Sequence, residues 1–117
     1  MSNISTHVLD TAAGRPAAGV PVRLEVQTGG REGEPWKILN QSVTDSDGRA
    51  QALLPAGATL AEGIYRLTFE TAHYFRAQNQ NTLYPEVKVT FFVADAAQHY
   101  HVPLLLSPFG YSTYRGS

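Results

Sequence analysis

Apolar and polar residues alternate with a period of two along several stretches of the chain, and this pattern predicts β-strands. The alternation is clearest in residues 86–93, where every second side chain is apolar. These apolar positions are Val87, Val89, Phe91 and Val93. Residues 20–27 and 63–70 show the same alternation. Each such strand buries one of its faces, so the pattern indicates a protein built mainly from sheets.

Turn residues divide the chain into eight predicted strands and one short helix. The strands are expected at residues 4–10, 20–27, 36–44, 49–54, 63–70, 86–93, 99–106 and 111–115, and the helix at residues 71–78. Thr71 is the expected N-cap of the helix. In the third strand, Trp36, Ile38 and Val43 are the expected core anchors. The segment Asp45-Ser-Asp-Gly48 predicts a hairpin between the third and fourth strands, because Asp-Gly tolerates positive φ.

Eight short strands separated by turns favour two packed antiparallel sheets, that is, an all-β sandwich with one short helix. A closed barrel fits the same pattern. The chain has 117 residues, which is enough for one hydrophobic core and too few for two. Residues 1–117 are therefore expected to form a single domain.

The charge balance excludes several classes of partner. Nine Lys and Arg are scattered among ten Asp and Glu, and the net charge is -1, so nucleic acid is not an expected partner. There is no cysteine, which excludes disulfides and thiolate chemistry. No apolar run reaches membrane-spanning length, and the N-terminus lacks the features of a secretory signal. A cytoplasmic protein without a membrane partner is expected.

Three histidines lie on predicted strands with their side chains in defined directions. His99 and His101 share one strand face with Pro103, and His7 shares a face with Ser5. If the last two strands pair, Tyr114 lies near the histidines. His73 lies on the predicted helix, away from the other candidate residues, and is assigned a structural role.

These residues allow more than one interpretation. A single strand histidine is most often an ordinary surface residue, but three histidines also match the ligand set of a zinc site with an open position for water. Arg49 follows the Asp-Gly turn, where it is either a surface arginine or a fixed cation that stabilises an oxyanion. A Ser-His-Asp triad has no supporting local motif.

Several segments together resemble 5-hydroxyisourate hydrolase, the transthyretin-related enzyme family of urate breakdown. The segments are Thr6-His-Val-Leu-Asp-Thr-Ala12, Gly14-Arg-Pro-Ala17, Asp47-Gly-Arg49, Tyr84-Pro-Glu-Val87, residues 99–108 and Tyr111-Ser-Thr-Tyr-Arg-Gly-Ser117. The resemblance spans the whole chain, and its first and last segments separate the enzyme from transthyretin itself, a hormone carrier. The visible departure is Leu83, where the family more often has phenylalanine.

The resemblance implies a transthyretin-like eight-stranded sandwich that assembles as a homotetramer, a dimer of dimers, with its active sites at a channel. It implies hydrolysis of 5-hydroxyisourate to 2-oxo-4-hydroxy-4-carboxy-5-ureidoimidazoline without a cofactor or metal. By matching motif, the catalytic residues are His7, Arg49, His101 and Tyr114, and His99, Arg115 and Ser117 join His7, Arg49 and Tyr114 in substrate binding. Which histidine acts as the general base stays open. The alternatives are a transthyretin-like carrier of an apolar ligand and a three-histidine zinc hydrolase.

Overall fold

A computed structural model of the protein describes residues 2–30 and 32–117, which form ten strand segments, one α-helix and one 3₁₀ turn. The strands are β1 (Ile4–Asp10), β2 (Arg15–Pro16), β3 (Pro21–Gln27), β4 (Trp36–Val43), β5 (Arg49–Ala50), β6 (Gly63–Phe69), β7 (Val87–Val93), β8 (Tyr100–His101), β9 (Leu104–Ser107) and β10 (Gly110–Thr113). Helix α1 spans Thr71–Arg76, and the 3₁₀ turn spans Thr28–Gly30.

The strands form two sheets that pack as a sandwich, which confirms the predicted fold class. In the four-stranded sheet the order is β4-β3-β6-β7. In the six-stranded sheet β1 is central, with β8 and β9 along one edge, β2 and β5 along the other, and β10 outside β9. Strand β1 therefore has neighbours on both sides over most of its length.

The core lies between the sheets and is built from the alternating faces of the strands. Strand β1 contributes Ile4 and Val8, and the opposite sheet contributes Leu24 and Leu67, all of them fully buried. Because side chains alternate along a strand, the inward direction of Ile4 and Val8 turns the odd-numbered residues of β1 to the outer face of the sheet. That outer face holds His7.

The six-stranded sheet is mixed, which corrects the prediction of wholly antiparallel sheets. Strand β1 runs parallel to β8 and β9, with Ser5 opposite His101 and Val8 opposite Leu104. Parallel neighbours need a long connection between them, and here the whole four-stranded sheet supplies it. Local alternation cannot reveal a pairing between residues so far apart in sequence.

The Asp-Gly segment forms a turn, but the predicted hairpin is wrong. The amide of Gly48 donates to the Asp45 carbonyl and the amide of Asp45 to the Arg49 carbonyl, both at 2.9 Å. Gly48 has φ +76, and a Cβ there would collide with the Val8 carbonyl oxygen. Strand β4 nevertheless pairs with β3, whereas β5 pairs with β1, so this turn carries the chain from one sheet to the other.

Other predicted boundaries also change. The strand expected at residues 99–106 is divided into β8 and β9 at Val102 and Pro103, since proline has no amide for the ladder. Thr71 is the first residue of α1 and not its cap; Glu70 holds that position. Ile38 and Val43 are 50% and 57% exposed, because β4 is an edge strand and both side chains lie on its outer face.

A buried carboxylate stabilises the outer face of the four-stranded sheet. Glu25 is 4% exposed and accepts two hydrogen bonds from Arg66, at 3.1 and 2.7 Å, and one from the Thr68 hydroxyl at 2.6 Å. Burial alone would raise the pKa of Glu25, but these hydrogen bonds and the charges of Arg66 and Arg23 hold the pKa below its ordinary value of 4.5. Ionised Glu25 is therefore favoured in the folded state.

Replacing Glu25 by glutamine is expected to lower the free energy of unfolding at neutral pH by about 3 kcal/mol, because Arg66 loses its buried partner. The lowered pKa means that the wild-type contribution is complete above pH 4.5 and is lost as the pH falls through the folded-state pKa. Urea titrations across this window should show a decline in the wild type that the variant lacks. As a control, Glu86→Gln breaks an exposed pair with Lys88 and should cost less than about 1 kcal/mol.

Candidate functional site

The outer face of β1 brings together residues from three strands that are far apart in the sequence. Ser5 lies opposite His101 of β8, and His7 lies opposite Arg49 of β5. Directly opposed residues point to the same side of a sheet, and neighbouring strands are about 4.8 Å apart. The four side chains therefore form one cluster on the six-stranded sheet. We call this surface, together with His99, the histidine face.

A serine joins two of the histidines. The Ser5 hydroxyl oxygen lies 2.7 Å from Nε2 of His99 and 2.8 Å from Nδ1 of His101. Ser5 is only 7% exposed, whereas His99 is exposed and His101 half-buried. Since Nδ1 of His101 is engaged by Ser5, Nε2 is the ring nitrogen left for other partners.

The C-terminal segment packs against His101. The Gly116 amide donates to the His101 carbonyl at 2.8 Å, and the two residues form an isolated antiparallel bridge. A Cβ atom at Gly116 would lie 2.5 Å from Cδ2 of His101 and 3.3 Å from Cγ of both His101 and Pro103. Only glycine lets the imidazole ring occupy its present position.

Replacing Gly116 by alanine is expected to displace the His101 ring and to lower kcat/KM about 10- to 100-fold, because small misplacements of a reacting group are costly. Steady-state kinetics on the substrate proposed below would measure this effect. Gly110→Ala is the matched control: a Cβ there meets only the Ser107 hydroxyl oxygen, at 3.7 Å, and activity should be unchanged. Equal activity in both variants would show that the His101 ring does not depend on Gly116.

The environment of His101 favours its neutral form. Burial lowers the pKa of His101 from its ordinary value of 6.5, and the positive charges of Arg49, His7 and His99 lower it further. A neutral imidazole that carries its proton on Nδ1 is a proton acceptor at Nε2. In that tautomer, His101 can accept a proton at neutral pH.

Arg49 supplies the permanent positive charge of the histidine face. Its backbone is fixed by the turn, where its amide donates to the Asp45 carboxylate at 3.0 Å. Among the residues that the structure describes, no carboxylate forms a salt bridge with its guanidinium. The donor groups of this side chain are thus available to an electron-rich ligand.

The remaining residues assigned from the sequence are Tyr114, Arg115 and Ser117 of the C-terminal segment. Each of them has different surroundings in the structure. Tyr114 follows β10, is 54% exposed and, together with Arg115, lines the groove beside Phe91. The Arg115 guanidinium lies 4.3 Å from the centre of the Tyr100 ring and donates to the Gln98 side chain at 2.8 Å and to the His99 backbone carbonyl at 3.5 Å. Ser117 is exposed at the end of the chain.

Two residues of the cluster were not assigned a role from the sequence. Ser5 lies two positions before His7, on the same strand face, which is the only local signal for it. Gly116 lies within the Tyr-Arg-Gly-Ser ending, but its contact with His101 depends on a long-range pairing.

Within residues 2–30 and 32–117, no three His, Cys, Asp or Glu side chains are arranged to hold a metal ion. In the same residues, no helix is long and apolar enough to cross a membrane.

The two packed sheets, with a cluster of histidines on the outer face of one of them, define a β-sandwich protein. The chain belongs to the HIUase/Transthyretin family, whose model matches residues 4–116. A 5-hydroxyisourate hydrolase of Salmonella typhi is 49% identical over 117 residues, covering 99% of this chain and 82% of that protein.

Two solved structures show the same fold. The 5-hydroxyisourate hydrolase of Klebsiella pneumoniae superposes with a TM-score of 0.83 at 38% identity, and the match covers 100% of both chains. Sea bream transthyretin in complex with thyroxine gives a TM-score of 0.85 at 27% identity, over 97% of this chain and 93% of that one. The fold is thus similar to that of an enzyme and to that of a protein solved with bound thyroxine, so the site must distinguish the two functions.

Proposed function

We propose that this chain, as a single domain, hydrolyses 5-hydroxyisourate to 2-oxo-4-hydroxy-4-carboxy-5-ureidoimidazoline. The observation that carries the proposal is the histidine face, where His7, Arg49 and His101 lie side by side in a member of this family. A surface of imidazoles and a guanidinium suits a ring that carries several carbonyl oxygens. It is too polar for the apolar ligand of a carrier.

In this proposal His101 is the general base. Its lowered pKa keeps it neutral, and the contact of Nδ1 with Ser5 leaves Nε2 to take a proton from the attacking water. His7 lies on the central strand beside Arg49 and helps to hold the substrate. The geometry thus favours one of the two histidines between which the sequence did not choose.

Arg49 and Tyr114 act on the substrate ring. Water attack on a ring amide creates negative charge on the carbonyl oxygen, and a fixed guanidinium can stabilise this charge as it develops. The Tyr114 hydroxyl orients the ring or the water from the C-terminal side of the face. His99, Arg115 and Ser117 stay as predicted substrate contacts; Arg115 would have to leave Tyr100 to take part.

We also propose that the protein is a homotetramer, a dimer of dimers, in the cytoplasm. The histidine face is an open sheet surface in a single chain. A second chain over His7, Arg49 and His101, with His99 left at the solvent-exposed rim, would exclude water from the reaction. Strands β7 and β10 are edge strands of their sheets. The groove of about 360 Å³ beside them is lined by apolar side chains such as Phe91 and Phe92. Unpaired strand edges of this kind favour pairing with another copy. Light scattering should give four chain masses.

Following the decay of freshly made 5-hydroxyisourate by ultraviolet absorbance tests the proposed reaction. The protein should accelerate the decay well above the spontaneous rate, and a chelator should leave this rate unchanged. Loss of activity with the chelator would favour the three-histidine zinc hydrolase. Spontaneous decay alone, combined with tight binding of an apolar aromatic ligand, would favour the carrier.

A further inference from the structure

The Ser5 hydroxyl occupies a central position between two imidazoles that lie in different surroundings. It is within hydrogen-bond distance of Nε2 of His99 and Nδ1 of His101, at 2.7 and 2.8 Å. His99 is exposed to solvent, whereas His101 is half-buried and Ser5 is 93% buried, being 7% exposed. A chain of three polar groups therefore leads from the interior of the histidine face to water.

A hydroxyl group has one proton, so Ser5 can donate to only one of the two rings. If Ser5 donates to His101, then Nδ1 of His101 is an acceptor and its proton is on Nε2, which cannot then act as a base. If Ser5 donates to His99, it accepts from Nδ1–H of His101 and leaves a lone pair on Nε2. The tautomers of the two histidines are thus coupled through one hydroxyl.

The surroundings favour the second arrangement. His99 is exposed, so water can accept the proton on its other ring nitrogen. The charged and titratable groups around His101 are His7 from β1, Arg49 from β5 and His99 from the segment before β8, and the C-terminal segment contributes Gly116 to its ring. Because cationic groups surround half-buried His101, an added proton has a lower free energy on exposed His99 than on His101.

We propose that Ser5 is a positioning residue that fixes the Nδ1–H tautomer of His101 and relays the proton taken up there to His99. This inference rests on the proposed function. Water adds its oxygen to the ring carbonyl carbon while Nε2 of His101 takes a proton from it. His101 then passes its Nδ1 proton to Ser5, and Ser5 passes its own to Nε2 of His99. The ring C–N bond breaks as the remaining hydroxyl proton of the added water moves to the leaving nitrogen.

The proton balance of the reaction requires such an exit. Opening a ring amide with water gives a carboxyl group and an N–H group, and the carboxyl group ionises at neutral pH. One proton therefore leaves the site in each turnover. His99 is the exposed end of the Ser5 chain and can release its Nδ1 proton to bulk water. Once the product has left, His101 gives its Nε2 proton to the water that replaces the product and His99 takes a proton from bulk water at Nδ1. The reverse shift of the two relay protons then restores the starting tautomers.

The tautomers can be measured without substrate by NMR of protein labelled with ¹⁵N in its histidines, at a mildly alkaline pH where histidines are generally neutral. The wild type should show His101 with a protonated Nδ1 and a free Nε2. In Ser5→Ala this preference should be lost, Ser5→Thr should restore it, and Ser42→Ala, on the other sheet, should leave it unchanged. An unchanged His101 tautomer in Ser5→Ala would overturn the coupling.

Kinetics test the relay itself. Loss of one orienting hydrogen bond should lower kcat about tenfold in Ser5→Ala, with partial recovery in Ser5→Thr. His99→Ala should also lower kcat, whereas a purely substrate-binding His99 would raise KM and leave kcat unchanged. A normal kcat in His99→Ala would overturn the relay, even if Ser5→Ala did not fold. A wild type without turnover would refute the proposed function, and the tautomer measurement would still decide the coupling.

Discussion

Replacing His101 by asparagine is expected to lower kcat for 5-hydroxyisourate about 10²- to 10⁴-fold while the sandwich stays folded. The asparagine amide can still reach the Ser5 hydroxyl from the position of Nδ1, but the variant has no group at Nε2 to take the proton. Because the lowered pKa keeps His101 neutral, wild-type kcat/KM should fall only at pH values below 6.5. The ultraviolet decay assay measures both effects.

A matched histidine variant separates this loss from a general effect of the substitution. His73 is exposed on α1, and His73→Asn should keep wild-type activity. Urea titration should give similar unfolding free energies for both variants, since neither ring is in the core. Wild-type kcat in a folded His101→Asn protein would remove His101 from the role of base.

Deleting residues 114–117 is expected to lower kcat/KM about 10³-fold, through loss of the Tyr114 hydroxyl and of the Gly116 contact that holds His101. The expected cost in stability is only about 2 kcal/mol. It comes from the hydrogen bond of Gly116 to the His101 carbonyl and the stacking of Arg115 on Tyr100. Kinetics and urea unfolding of the truncated chain measure the two effects separately.

A pair of tyrosine variants identifies which part of the deletion matters. Tyr114→Phe removes only the hydroxyl and should lower turnover, whereas Tyr111→Phe keeps the edge contact with the Tyr84 ring and should not. If the truncated chain unfolds outright, the C-terminal segment is structural and the prediction fails. If it turns over normally, the segment contributes nothing to the site.

Most of the strands and the direction of their side chains could be predicted from the sequence, because alternation is a local property. The inward face of β1 and the outward direction of His7 follow from it directly. The partners of β1 do not, since His101 is 96 positions from Ser5 and the pairing depends on how the whole chain folds. The parallel direction of β8 and β9 and the crossing of the Asp-Gly turn between sheets were missed for this reason.

The site residues also divide into those that could be predicted from the sequence and those that depend on long-range pairing. The resemblance drew attention to His7, Arg49 and His101, and the strand register places these three residues together. Ser5 carries no motif of its own, and serine on a strand is too common to assign a role by residue type. The role of Gly116 depends on the space left by an imidazole ring, which is a three-dimensional property.

The central claim is that the substrate ring binds on the histidine face, and NMR of ¹⁵N-labelled histidines tests it most directly. Urate is a stable purine with a related ring, and it would be added at a concentration that inhibits turnover. The account predicts that the ring signals of His7, His99 and His101 shift with the midpoint of inhibition, while those of His73 on α1 do not move. Inhibition without a shift in these three rings would contradict the account.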